Sequence, residues 1–278
     1  MNTPIILICG AAGSGKDTIA KFLAEKYNGI CIAQSDPMKR FAGVVFGFNE
    51  TKLWGPSEER NSPQEDLESV FYWPKGWTDA RERLIRHSDQ IFDVLEAYDA
   101  DKTEAILDAL TRWFDSVRLH YAATRGNPTP RYVLQTLGTE FGRAFSKDMW
   151  SAFAIRTAQE LLGGGYSYSR AAGLGMDRQA MLDHVIITDG RFLNELVNVK
   201  FVGGQVVMVT NPLPIDNTAL HLGGIKGHAS EAELTGIPAS WIDIRFINDK
   251  GKGLASAEAT VVNVLGKALF KGPKVLGA

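Results

Sequence analysis

The sequence predicts an α/β protein: a five-stranded parallel sheet with helices on both faces, interrupted by an inserted subdomain. Three observations carry that reading. Five short, largely apolar runs stand at Ile5 to Cys9, Ile30 to Gln34, His184 to Thr188, Gln205 to Thr210 and Asp243 to Asn248. Helical or longer stretches separate them, as expected of strands buried on both faces and joined by crossovers. The first run breaks directly into a glycine-rich turn and then a helix-spaced apolar pattern. Between the second and third runs lie roughly 150 residues, far too many for one crossover helix, so this interval is expected to form a subdomain.

The turn reads Gly10-Ala11-Ala12-Gly13-Ser14-Gly15-Lys16-Asp17-Thr18. Glycines at 10, 13 and 15 let the backbone turn tightly and aim successive N–H groups at an anion, and the helix that follows adds its positive end. The flanks fit: Ile5 to Ile8 read as a buried strand, while Ile19, Phe22, Leu23 and Tyr27 recur at helical spacing. This is the setting of a phosphate-binding P-loop, in which Lys16 would reach the β- and γ-phosphates of a nucleotide. The usual Ser or Thr after the lysine, a Mg²⁺ ligand, is here Asp17; Thr18 supplies a hydroxyl one position later.

Composition bounds the remaining classes. With 278 residues, 45% apolar and 22% charged, the chain is long enough for one α/β core with an insertion or for two domains. A net charge of −2 carries no polyanion-binding signature, which argues against a nucleic-acid partner. Cys9 and Cys31 lie within apolar runs and read as small buried hydrophobes, with no disulfide framework or zinc spacing. The five histidines, His87, His120, His184, His221 and His228, show no metal-ligand spacing. No signal-peptide pattern opens the chain and no apolar stretch approaches the ~20 residues of a membrane span, so a reducing cytoplasm is expected.

In a parallel sheet, ligands sit at the carboxyl ends of the strands. Gly10 to Thr18, Ser35-Asp36, Asp189 to Arg191, Asn211 onward and Asn248-Asp249 should therefore converge. Residues 1–40 and 180–278 are expected to form the core, with a lid at about 211–240, and 41–179 the mainly helical insertion. Inside the insertion, Ser57 to Thr78 is polar, contains Pro63 and Pro74, and reads as a loop region. Ile106, Leu110, Trp113, Phe114 and Val117 form one helical stripe, and Val133, Leu134, Leu137 and Phe141 another. A helix from Met149 to Leu162 ends at Gly163-Gly164-Gly165, and the stretch to Gly175 reads as a mobile surface loop.

Three further constellations bear on chemistry. Asp189 ends a buried run, where a second metal-organising acid belongs, and Arg191 could neutralise a transferring phosphoryl group. The alternative is that Asp189 caps the next helix and Arg191 pairs with Glu195. Arg131, Gln135, Gly138, Thr139, Gly142 and Arg143 share one broad helix face, although each glycine costs about 1 kcal/mol relative to alanine. A ligand lying on that face would account for the missing side chains, with the arginines for a phosphate and Gln135 for a base edge; close helix packing is the competing account. Gly227 to Glu231 stands where a closing lid would lie, or is an ordinary serine cap with an acidic first turn.

Seven segments then occur in a telling order: Gly-x-x-Gly-Ser-Gly-Lys-Asp-Thr at 10–18, Asp36-Pro37-Met38-Lys39, Leu-Trp-Gly-Pro-Ser-Glu-x-Arg at 53–60, Leu-Gln-x-Leu-Gly-Thr-Glu-x-x-Arg at 134–143, Asp-x-Arg-Phe-x-Asn-Glu at 189–195, His-x-Ser-Glu at 228–231 and Phe-Ile-Asn-Asp at 246–249. Together they resemble the phage-type deoxynucleoside monophosphate kinases, across nearly the whole chain, and in that family a Lys-Asp-Thr ending is usual. The resemblance implies a P-loop NTPase core, an acceptor-binding insertion and a lid, with Mg-ATP phosphorylating a deoxynucleoside 5′-monophosphate. ATP is then expected at Gly10, Gly13, Ser14, Gly15, Lys16, Asp17, Thr18 and Asn248, and the monophosphate at Asp36, Lys39, Arg60, Arg131, Gln135, Thr139, Glu140 and Arg143. Lys226, His228 and Glu231 are expected in the lid. Lys16, Asp189 and Arg191 would carry catalysis, and Asp17 and Asp189 would organise Mg²⁺ through water. A phage-encoded protein of this kind would work in the host cytoplasm, as a homodimer in one arrangement. Two other readings stay open: a P-loop kinase for another small metabolite, and a nucleotide-dependent switch or assembly ATPase. The run from Gly163 to Gln179 belongs to none of the seven segments.

Overall fold

Alternation along β1 (Ile5–Cys9) sends Ile5, Leu7 and Cys9 to one face of a sheet and Ile6 and Ile8 to the other, and all five are buried. A computed structural model of the chain describes residues 4–11, 13–96, 100–177, 181–211, 236–249 and 259–270. They fall into two compact units: one takes the described residues of Met1–Gln34, Ser151–Asp216 and Ala229–Ala278, the other those of Ser35–Trp150.

In the first unit, β1 leads through a glycine turn into α1 (Lys16–Lys26) and then β2 (Gly29–Ile32). After the second unit come α10 (Met149–Gly163), a short hairpin of β3 (Ser167–Ser169) and β4 (Gly173–Gly175), β5 (His184–Gly190), α11 (Leu193–Phe201), β6 (Gln205–Thr210) and β7 (Ile244–Ile247). The sheet order is β2-β5-β1-β6-β7, and every neighbouring pair is parallel. Helices cover both faces. Ile5, Leu7 and Cys9 pack with Ala154, Ala158 and Leu161 of α10 and Leu196 and Val199 of α11. Ile6 and Ile8 pack with Ile19, Ala20 and Leu23 of α1 and with Val261, Leu265 and Leu269 near the end of the described chain. All five expected strands are present. β5 runs two residues beyond the expected His184 to Thr188, so Asp189 lies within the strand; β2 and β7 are shorter than expected.

The structure overturns one expectation for this unit. The residues after Gly165 are not a loop: β3 pairs antiparallel with β4, and the Ala172 N–H donates to Ser169 Oγ across the turn at 3.0 Å. Tyr166, Tyr168 and Leu174 pack on the first core face, which supplies the burial that glycine-rich composition concealed. The same face takes in α10 from Ser151 onward, and the compact helical unit runs from Ser35 to Trp150.

The second unit is helical: α2 (Asp36–Phe46), α3 (Glu50–Trp54), α4 (Ser57–Asn61), α5 (Glu65–Tyr72), α6 (Pro74–Arg86), α7 (Asp89–Leu95), α8 (Ala100–Thr124) and α9 (Pro130–Thr136), the last continuing as a π-helix over Leu137–Arg143. Residues 57–78 thus form helices where a loop was expected. Pro63 separates α4 from α5 and Pro74 opens α6 at its first position, so these prolines punctuate short helices. Phe46 centres an aromatic core, its ring 5.6 to 6.5 Å from those of Phe48, Phe71, Trp77, Trp113 and Phe114. The stripe read on α8 is buried as expected, at Ile106, Leu110, Trp113, Phe114 and Val117. Lys226, His228 and Glu231, expected in a lid, lie outside the described residues. No described helix is long and apolar enough to cross a membrane.

Candidate functional site

In the first unit the candidate site is built on the turn after β1. A Cβ on Gly10 would stand 2.5 Å from the Val209 carbonyl oxygen, so only glycine lets the chain leave the sheet beside β6. The Ser14 N–H donates to the Ala11 carbonyl at 3.1 Å, and Gly15 enters α1 at φ +86° in the left-handed region. The N-cap of α1 is Gly15, which has no side chain to cap the helix, and the first turn of such a helix is a favourable place for an anion. Lys16 is 8% exposed and Ser14 is buried, while Asp17 and Thr18 are exposed on the first turn. Asn248 is buried behind the turn: its side-chain amide donates to the Ser14 carbonyl and its backbone N–H to the Thr210 carbonyl, each at 2.8 Å. It braces the loop backbone from the end of β7.

Beside this turn, the end of β5 carries Asp189, whose Oδ1 accepts the Gln34 backbone N–H at 2.8 Å. Two residues on, the Arg191 N–H donates to Glu195 Oε2 at 2.7 Å, and the Phe192 N–H donates to the same oxygen at 3.1 Å. Glu195 is 7% exposed. Burial pushes its carboxyl up from 4.5 to about 7, and the charge of Asp189 adds to the rise. The two N–H donors oppose it, as does the nearby Gln34 amide, which makes no hydrogen bond of ordinary geometry. Burial likewise pushes the Cys9 thiol to about 12, with Glu195 contributing. Both cysteines behave as inert thiols, since the Cys31 thiol also rises to about 12 by burial.

The second unit holds the other predicted residues. Asp36 is fully buried at the start of α2, where its Oδ1 accepts the Trp54 indole N–H at 2.9 Å and lies 3.9 Å from Lys39 Nζ. Lys39 Nζ sits 5.8 Å from the centroid of the Trp54 ring. Asp36 therefore orients Trp54 and Lys39 and presents no surface of its own. Arg60 donates to Ser57 Oγ at 3.4 Å within α4. Thr129 caps α9 by accepting the Tyr132 N–H, and Pro130 opens its first turn. Arg131, Gln135, Thr139 and Arg143 are each partly exposed along α9 and the π-helix, and Glu140 is exposed. A π-helical turn is rare and recurs at functional sites.

Packing accounts for the glycines of this helix. A Cβ on Gly142 would stand 2.4 Å from Trp150 Nε1, and one on Gly138 would stand 3.0 Å from Met38 Sδ. The Trp150 indole N–H also donates to the Gly138 carbonyl at 3.0 Å. Of the two accounts weighed from sequence for Gly138 and Gly142, close helix packing is the one these contacts support.

No family model matches the sequence. The chain is similar to one viral protein along most of its length. That protein, from Acanthamoeba polyphaga mimivirus, is named "Putative deoxynucleotide monophosphate kinase"; the two are 22% identical over 251 residues, covering 88% of this chain and 89% of the relative. A likeness over 88% of the chain is too long to be confined to either unit alone.

Gln34 and Trp150, left without a role by sequence reasoning, emerge from the geometry, and Glu195, weighed from sequence as a pairing partner for Arg191, accepts the backbone N–H groups of Arg191 and Phe192. Glu195 was visible as an acid three residues into α11, the third position of a capping box, but its burial was not. Gln34 and Trp150 carry no sequence signal of their own.

Proposed function

We propose that the protein is an ATP-dependent deoxynucleoside monophosphate kinase, making a deoxynucleoside diphosphate and ADP. The observation that carries this reading is the start of α1, entered through glycines with Gly15 at its N-cap, with a buried Lys16 in its first turn and Asp189 at the end of the strand paired with β1. The name of the viral relative supports the acceptor class.

In this reading the amides of Gly13 to Thr18 and the Lys16 ammonium hold the donor phosphates. Lys39, Arg131 and Arg143 hold the acceptor phosphate, with Gln135, Thr139 and Glu140 toward its sugar and base. An oxygen of the acceptor phosphate bonds to the γ-phosphorus as the bond from that phosphorus to the β–γ bridging oxygen breaks, and ADP leaves with that electron pair. The attacking oxygen is already anionic, so neither a strong base nor a covalent nucleophile is needed. Arg191 neutralises charge on the group in flight.

Asp17 and Asp189 offer hard carboxylate oxygens of the kind Mg²⁺ prefers. Among the described residues no cluster of three or more His, Cys, Asp or Glu side chains forms a metal cage, and an ion held by one or two carboxylates, phosphates and water needs none. When bound, Mg²⁺ supplies charge neutralisation at the β- and γ-phosphate oxygens.

The test is ADP release from Mg-ATP in the presence of each deoxy- and ribonucleoside monophosphate in turn. At least one deoxynucleoside monophosphate should accelerate release and be converted to its diphosphate. ATP turnover indifferent to every monophosphate would sink the reading and favour a switch ATPase.

A further inference from the structure

We propose that Glu195 is a positioning residue for phosphoryl transfer, its buried carboxylate fixing the turn that carries Asp189 and Arg191. The inference rests on the kinase reading above, which makes those two residues part of the catalytic machinery.

A capping box needs only one of the two bonds observed. The glutamate at the third position of α11 accepts the N–H of Phe192, the residue preceding the helix, and an exposed side chain would serve equally well. Here the carboxylate is buried, and its shorter bond goes to the Arg191 N–H, which lies outside the helix. Burying an acid carries a substantial desolvation penalty, so this arrangement is more than a cap. The same stretch is pinned at two further points. Asp189 accepts the Gln34 backbone N–H from the adjoining strand end, and a Cβ on Gly190 would stand 2.9 Å from Leu7 Cδ1. From Asp189 to Phe192 the backbone is thus gripped by β2, by β1 and by α11. Glu195 itself is too buried to meet a substrate, so whatever it contributes passes through its neighbours.

The experiment compares Glu195→Ala, Glu195→Asp and Glu195→Gln, alone and with Arg191→Ala. Aspartate keeps the charge but is one methylene too short, and glutamine keeps the length and an acceptor oxygen. Misplacing a catalytic group by about 1 Å costs on the order of 10²-fold, so alanine and aspartate should lower kcat by that order, with both KM values changed less than about threefold. Glutamine should recover most of kcat. In the Arg191→Ala background the alanine change should cost less than it does in wild type, because only Asp189 then remains to be misplaced. Losses that multiply, KM changes that match the kcat loss, or a glutamine variant as impaired as alanine would each overturn the proposal. Should the alanine variant fail to fold, the aspartate and glutamine pair decides. Hydrogen exchange at the Arg191 and Phe192 amides gives a readout independent of activity: faster in the aspartate variant and near wild type in glutamine. Protected amides in the aspartate variant would refute the clamp, whereas a wild-type protein that ignores every monophosphate would refute the kinase reading alone.

Discussion

Replacing Glu195 by glutamine should remove a pH dependence of stability that the sheet unit otherwise shows between about pH 4.5 and 7. Burial raises this carboxyl from 4.5 to about 7, aided by the charge of Asp189 on β5 and opposed by the N–H groups of Arg191 and Phe192 and by the Gln34 amide. Cys9, on β1, titrates near 12 and stays neutral throughout. An acid whose folded pKa is the higher one keeps its proton in the native state where the unfolded chain has released it. Its stabilising contribution is complete below pH 4.5, falls as the pH rises, and is lost above 7. Each pH unit across that window removes about 1.4 kcal/mol, or about 3 kcal/mol in all. Glutamine has no proton to lose, so the stability of wild type relative to Glu195→Gln should decline by about that amount from pH 4.5 to 7.5. The two compact units need not unfold together, so the probe must sit in the first. Native-state hydrogen exchange in urea, read on β1 and β5 peptides, meets that need. A stability gap that stays constant across the window would refute the reasoning.

Three other outcomes are expected. Lys16→Ala should lower turnover by 10²-fold or more, on the order seen when one preorganised donor is lost, with an unchanged circular dichroism spectrum; near-full activity would remove the anion site from the α1 turn. Arg143→Ala should raise the KM for the monophosphate about 10- to 100-fold, the worth of a charged hydrogen bond, and leave the KM for ATP nearly unchanged. If the monophosphate KM does not move, the acceptor phosphate is held elsewhere. Gly142→Ala drives a methyl into the Trp150 indole and should cost about 1–3 kcal/mol in denaturant unfolding, with a shift in Trp150 fluorescence. A variant as stable as wild type would mean the π-helix yields without strain.

The strands were legible because each is an apolar run buried on both faces, a signal needing no knowledge of its neighbours. The helices of residues 57–78 were hidden by Pro63 and Pro74, which mark a loop or a helix start equally well until Phe71 is known to be buried in the aromatic core. The β3–β4 hairpin was hidden in the same way, since three tyrosine and leucine contacts with a distant core face hold a glycine-rich stretch in place. The bonds of Asp36 and Asn248 could not be read from sequence: burial brings Asp36 to Trp54, on another element, and Asn248 to the Ser14 carbonyl, distant in the chain.

By itself, then, the sequence determined the α/β class, the glycine turn with its lysine, and the helical character of the inserted segment. Each is written in local spacing: period two or continuous burial for strands, period near 3.6 for helices, and glycines where the turn needs them. Only the tertiary structure decided the strand order, the partner of each buried polar group and the reason for Gly138 and Gly142. Those depend on atoms brought together from distant parts of the chain: Val209 against Gly10, Asn248 beneath Ser14, Trp150 upon Gly142, and Gln34 beside Asp189.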